Sequence, residues 1–164
     1  MDVRGYTVVT EQEFDMTQLI YSMQFTGKAV PANDSGSVLK ANTKGKSCGI
    51  RTVVGSQGVS GVLDPISGDE ATFESQVTFT SDNTFLETGT IVFGSTRHKL
   101  RFSTVGQGYI FSSVDPQLKH GSVIWKIEGG EGQFEQASGL ITSNFLVGAS
   151  GEVTDNHFGV VFLK

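Results

Sequence analysis

The chain is short of the features that mark many protein classes. It carries one cysteine, Cys48, in 164 residues. A single thiol excludes an intrachain disulfide and fits a reducing compartment. Charged residues make up 18 %, below the ordinary share of about 25 %, and they sum to −5 with a pI near 5.1. No basic footprint is left for phosphates, so nucleic acid is not expected as a partner. No apolar run approaches the length of a membrane span, and no membrane partner is expected. The first residues, Met1-Asp2-Val3-Arg4-Gly5, lack a basic start followed by an apolar stretch. With the lone cysteine, this points to the cytoplasm. Histidine is scarce too. His98, His120 and His157 do not have the spacing of metal ligands, and no metal or other cofactor is expected. Nucleophile elbows, phosphate loops and dinucleotide loops are all missing. Gly130-Glu131-Gly132-Gln133-Phe134-Glu135 lacks the third glycine of a dinucleotide loop and has no βαβ unit around it.

Glycine and phenylalanine are plentiful. There are 21 glycines and 12 phenylalanines, and the glycine share is nearly double the usual figure of about 7 %. Length alone gives one domain spanning 1–164. No window carries a helical stripe, whereas alternation of apolar and polar residues is common. It predicts strands at Tyr6–Glu13, Gln18–Ala29, Cys48–Val54, Val59–Leu63, Ala71–Thr80, Thr84–Phe93, Thr96–Val105, Tyr109–Ser113, Ser122–Glu128, Leu140–Gly148 and Glu152–Leu163. Some of these merge, leaving eight to ten. Turn residues at Ser81-Asp82-Asn83, Gly94-Ser95, Asp115-Pro116, Gly129-Gly130 and Ser150-Gly151 separate them. Spacing near ten residues with glycine-rich turns is the mark of an all-β sandwich or barrel. Val30–Lys46 reads as a long loop and a candidate lid.

Two hairpins assign faces. A two-residue turn at Gly94-Ser95 pairs Ile91 with His98 and Glu87 with Phe102. Glu87 and His98 then lie on the apolar face with Phe85, Ile91, Phe93, Leu100 and Phe102, about 13 Å apart along the sheet at about 3.3 Å per residue. Ionisable groups on an apolar face are paired or functional, so Glu87 and His98 are the candidate acid and base. A turn at Ser150-Gly151 places Asn144 opposite His157 and puts Asp155 on the face of His157, as a polar rim or a dyad. Tyr21, Phe25, Phe85, Tyr109 and Trp125 are the candidate aromatic lining, with Asn144 and His157 as polar contacts. Together they would hold a small apolar or aromatic molecule in a cavity on the order of 300 Å³ or more. Val160-Val161-Phe162-Leu163 is apolar on both faces. No amphipathic helix is available to cover the outer one, so a homodimer or homotrimer is expected.

The stretch Ile127-Glu128-Gly129-Gly130-Glu131-Gly132-Gln133-Phe134-Glu135-Gln136-Ala137-Ser138-Gly139 resembles the G-G-x-G-x-F-x-x-A-x-G signature of the allene oxide cyclase-like barrels, which dirigent proteins share in looser form. Thr84-Phe85-Leu86-Glu87 and Gly27-Lys28-Ala29-Val30-Pro31 are weaker echoes. The glycines permit positive φ at a strand-to-turn junction, and Phe134 and Ala137 can plug a barrel end. The resemblance implies an eight-stranded antiparallel barrel, frequent homo-oligomers and an apolar cavity that holds a reactive molecule in one conformation. Its members include isomerising and cyclising enzymes that need no cofactor. The plant enzymes' Tyr-Glu-x-Asn falls on Tyr6-Thr7-Val8-Val9 here. The resemblance is thus to a bacterial-type member and not to a true allene oxide cyclase. The expected function is a cofactor-free isomerase, cyclase or lyase for a mostly apolar substrate. The alternative is a non-catalytic ligand-binding or structural barrel.

Overall fold

A computed structural model describes residues 16–95 and 97–164. Nine antiparallel strands follow one another: β1 Thr17–Pro31, β2 Val38–Gly55, β3 Gly58–Phe79, β4 Thr84–Phe93, β5 His98–Thr104, β6 Gly108–Ser112, β7 Leu118–Glu131, β8 Ser138–Gly148 and β9 Glu152–Leu163. A 3-10 turn at Gly132–Phe134 is the one helical element among the described residues. The expected strand at Tyr6–Glu13 lies outside them.

The strands form one sheet in a ring-like arrangement. Consecutive strands pair from β1 to β5, β5 pairs with β7, and β7, β8 and β9 continue in order to β1. The short β6 also lies between β4 and β7, pairing with both beyond the end of β5. Side chains at alternate positions fill the inside. In β9 these are Val153, Asp155, His157, Gly159 and Val161, while Phe158 and Phe162 face out. The outer face expected to need a cover is therefore exposed among the described residues.

Small residues on the inside make room for rings. A Cβ on Gly108 would meet the Phe85 ring at 2.3 Å, and one on Gly121 would meet the Phe145 ring at 2.4 Å. At these two positions the strand-favouring aromatics and the glycines serve one purpose, each glycine leaving room for the ring beside it.

The long loop expected at Val30–Lys46 is not present. Only residues 32–37 separate β1 from β2, and β2 pairs with both β1 and β3 from its start. Alternation runs through the segment, with Ala41, Thr43 and Gly45 buried and Lys40, Asn42, Lys44 and Lys46 exposed. The inward residues are small, so the pattern does not look hydrophobic.

The pairing of β2 with β1 ends at Lys44, and its pairing with β3 is interrupted between Lys46 and Cys48. Among the described residues, Cys48–Gly55 and Gly58–Pro65 then pair only with each other, forming a two-stranded arm beyond the ring. Expected as two ordinary strands, this segment is the distal part of one long hairpin.

The glycine-rich stretch ends β7 and leads through the 3-10 turn into β8. Gly129 and Gly132 have φ of 73° and 65°. Phe134 and Ala137 are buried, and the Phe134 ring packs on Phe93 at 5.1 Å. This closes one end of the ring as the motif suggested.

Candidate functional site

Glu87 is buried inside the ring on β4. Its backbone is fixed by Thr104, whose hydroxyl accepts from the Glu87 N–H at 2.7 Å and donates to the Glu87 carbonyl at 2.8 Å. Its carboxyl reaches two donors. Ser75 Oγ lies 2.5 Å from Oε1, and Trp125 Nε1 donates to Oε2 at 3.2 Å. Burial drives the Glu87 pKa up to about 8, with the charge of Asp155 adding to the rise while Ser75 and Trp125 oppose it. At neutral pH the group is predominantly the uncharged acid.

Asp155 is also buried, on β9. Ser143 Oγ donates to its Oδ1 at 2.7 Å, and His157 Nε2 lies 2.9 Å from its Oδ2. The Tyr21 hydroxyl lies 3.1 Å from His157 Nδ1. A proton on Nε2 satisfies every atom: the ring donates to Asp155 and accepts from Tyr21. Burial, followed by the charge of Asp155, pushes the Tyr21 pKa well up, so the phenol keeps the proton that it donates. Aromatic rings surround His157: Phe25 at 4.7 Å, Trp125 at 4.9 Å and Phe73 at 5.3 Å. A polar rim would be wet, whereas this Asp155–His157 pair lies inside the core.

A cavity of about 80 Å³ opens at the end of the ring opposite Phe134. Phe73, Phe79, Phe85, Ile110, Phe145 and Val153 contribute to its wall, and among the described residues Glu87 and Asp155 are its only ionisable lining residues. It shares Ala29, Leu39 and Val147 with a wider depression of about 580 Å³ at the rim, bordered by Pro116, Gln117, Leu118 and Lys119. The space inside the ring is smaller than the expected 300 Å³ because Tyr21, Phe25, Trp125 and His157 pack against one another beside it. All four are buried, the three aromatic residues as expected and His157 in place of the expected wet rim. None lines the cavity, and of the five expected aromatics only Phe85 does.

Three expected site residues lie elsewhere. His98 begins β5 opposite Phe93, at the plugged end, where its Nδ1 accepts from the Gln133 N–H at 3.1 Å. The β4–β5 turn is four residues long instead of two, which shifts the register by two. An even shift keeps His98 on the inner face but moves it six residues from the level of Glu87, about 20 Å along the strand. Tyr109 lies outside the ring, 44 % exposed, and stacks on Phe111 at 6.4 Å. Asn144 pairs with Asn156, and Ser143 takes the place opposite His157. There the β8–β9 turn has three residues, with Gly151 at φ 87°, so the shift is by one and Asn144 faces out.

Ser75, Ser143 and Asp155 are the members that the expected site omitted. Their signal was positional. Each sits at a period-two inward position between apolar residues, as in Phe73-Glu74-Ser75-Gln76-Val77 and Val153-Thr154-Asp155. Among the described residues no three His, Cys, Asp or Glu side chains gather as a metal site would require. No described helix is long and apolar enough to cross a membrane. No family model, curated protein or solved structure matches the chain.

Proposed function

We propose that the ring is an up-and-down barrel of the allene oxide cyclase-like kind, in which β5 and β6 share one of eight positions. On this reading the protein is a cofactor-free isomerase, cyclase or lyase acting on a small, mostly apolar molecule. One observation carries it: Glu87 and Asp155, on opposite sides of the chemistry of proton transfer, border the same apolar cavity. Two carboxyl groups in one apolar space do not both ionise readily, so one is held as an acid and the other as a base. Glu87 donates its proton to an oxygen of the substrate while Asp155 removes one from a neighbouring carbon. The enol oxygen then gives its proton back to Glu87 while Asp155 delivers its proton to a different carbon, which yields an isomer and restores both carboxyl groups. The apolar walls exclude water and fix the reacting conformation. His157 and Tyr21 orient Asp155, and Ser75 and Trp125 orient Glu87.

The single cysteine supports a cytoplasmic setting, and the exposed apolar outer surface supports a homodimer or homotrimer. A second reading is also favoured by a specific feature. Every carboxyl oxygen of Glu87 and Asp155 already has a protein partner, as in a non-catalytic barrel that only binds a ligand or is purely structural.

Hydrogen exchange separates the two. Cyclopentanone incubated with the protein in D₂O should lose its α-protons faster than in buffer, as read by NMR. Glu87→Gln and Asp155→Asn should each slow the protein-dependent rate about 10²-fold or more, whereas His98→Ala should leave it unchanged. Exchange no faster than in buffer, with cyclopentanone still raising the melting temperature, would favour the binding role.

A further inference from the structure

Lys119 stands where the alternation of β7 calls for an inward residue. It lies opposite Ser112 of β6 and Val147 of β8, and residues directly opposed across strands share a face. The next inward step is Gly121, opposite Ile110 and Phe145. Val147, Ile110 and Phe145 all line the cavity. Lys119 therefore belongs to the inner face, at the mouth and one step outside Gly121. The inward residues that follow it on β7 are Gly121, Val123, Trp125 and Ile127, none of them charged. The outward-facing Lys44, Lys99 and Lys126 each pair with a glutamate. The ammonium group of Lys119 forms no ion pair and no hydrogen bond among the described residues.

Lys119 borders the depression of about 580 Å³ at the rim, where it is the only charged side chain among the described residues. Most of the wall there is apolar, from Val30, Pro31, Leu39, Pro116, Leu118 and Val147. Ala29, Leu39 and Val147 are common to the depression and the cavity, so the two are contiguous. The cavity, at about 80 Å³, is smaller than the roughly 150 Å³ that holds one benzene molecule. One end of a longer molecule enters it, and the rest lies in the depression beside Lys119. Charge decides which end. The ionisable groups that line the cavity, Glu87 and Asp155, are both carboxyls. An anion placed with them would lose its water and meet a like charge, whereas at the mouth it meets a cation that has no other partner. Val153 stands opposite Val147, two residues from Asp155. Lys119 and Asp155 are thus two residues apart along the strands and two strands apart round the ring, about 12 Å between backbones.

We infer that Lys119 is a specificity-determining residue that fixes which way round the substrate lies. The substrate carries an anionic group at one end, held by Lys119 at the mouth. At the other end, on the order of 10 Å away, an uncharged carbonyl lies beside Glu87 and Asp155. The carbonyl end rests on the proton-transfer reading given above, and the seat of the anion stands without it. The chain has a net charge of −5 and offers anions no general attraction, so a preference for an anion reports a local contact.

Isothermal titration calorimetry of the full chain with 8-oxononanoate and its uncharged counterpart 2-nonanone tests this. The wild type should bind the keto acid about fivefold more tightly than the ketone, and salt at about 0.5 M should shrink that preference. Lys119→Met should abolish the preference and Lys119→Glu should reverse it. Lys126→Met, at an outward lysine of the same strand, should keep it. Equal affinity of the wild type for the two molecules overturns the inference, as does a preference that survives Lys119→Met. The wild-type complex gives a second measurement that needs no variant. The methyl protons beside the carbonyl should show nuclear Overhauser contacts to the Phe145 ring, and the methylene beside the carboxylate should show them to the Lys119 side chain. The reverse orientation overturns the inference. Hydrogen exchange separates this from the enzymatic reading. A keto acid bound with the expected preference that exchanges its α-protons no faster than in buffer upholds the role of Lys119 and removes the enzyme. Protein-dependent exchange of cyclopentanone, without any preference for the keto acid, overturns the role of Lys119 and keeps the enzyme.

Discussion

At one end of the ring Phe93, Phe134 and His98 pack under the 3-10 turn, and the interior is filled. At the other end Phe79, Phe85 and Phe145 leave a cavity that reaches Glu87 and Asp155. Both ends place an ionisable residue on an inward face amid aromatics. At the plugged end His98 meets a backbone N–H and has a local structural task. At the open end Glu87 meets side chains from β3 and β7 and borders empty space. Facing inward is therefore not enough to define a site. Depth along the strand decides whether an inward polar group caps a turn or borders a cavity.

Four substitutions sharpen this contrast. Trp125→Ala removes a fully buried ring and the indole donor to Glu87. It should destabilise the protein by about 3–5 kcal/mol, measured by urea denaturation, and should affect the open end most. Gly108→Ala drives a methyl group into the Phe85 ring beside the cavity. It should cost about 1–3 kcal/mol, and a loss below about 0.5 kcal/mol would mean that the cavity wall yields freely.

Glu87→Gln tests the pH dependence. The folded-state pKa of Glu87, about 8, lies above its ordinary value of 4.5. The folded protein therefore holds more protons between those values, and the stability associated with the neutral acid is fully present below pH 4.5. It falls as pH rises and is lost by the time pH passes 8. Glu87→Gln should remove this slope, which is up to about 1.4 kcal/mol per pH unit, and should melt above the wild type at pH 9. Equal pH profiles for the two proteins would place a charged Glu87 in contact with water. His98→Ala should have the smallest effect, about 1 kcal/mol from one backbone-capping hydrogen bond, with no change in ketone exchange.

Much of the architecture was legible in the chain. Alternation located β1, β4, β8 and β9 to within two residues, and it put Glu87, Tyr21, Phe25, Phe85 and Trp125 inside. Alternation fixes faces but not register, which depends on turn length. Gly94-Ser95 looked like a complete turn, yet the chain uses two further residues before β5, displacing His98 by two places. Ser150-Gly151 needed one further residue, and that single step turned Asn144 outward. Val38–Lys46 was hidden because its inward residues are small, a choice explained only by the rings they face. Asp155 looked like a rim residue because the sequence does not say how far β9 penetrates the core.

The central claim is that Glu87 is a neutral acid facing an apolar cavity at physiological pH. A ¹³C NMR titration of the glutamate carboxyl carbons, with Glu87→Gln to assign the resonance, measures this directly. The account predicts one carboxyl that titrates near pH 8. A Glu87 resonance that titrates near 4.5 with the surface glutamates would contradict it.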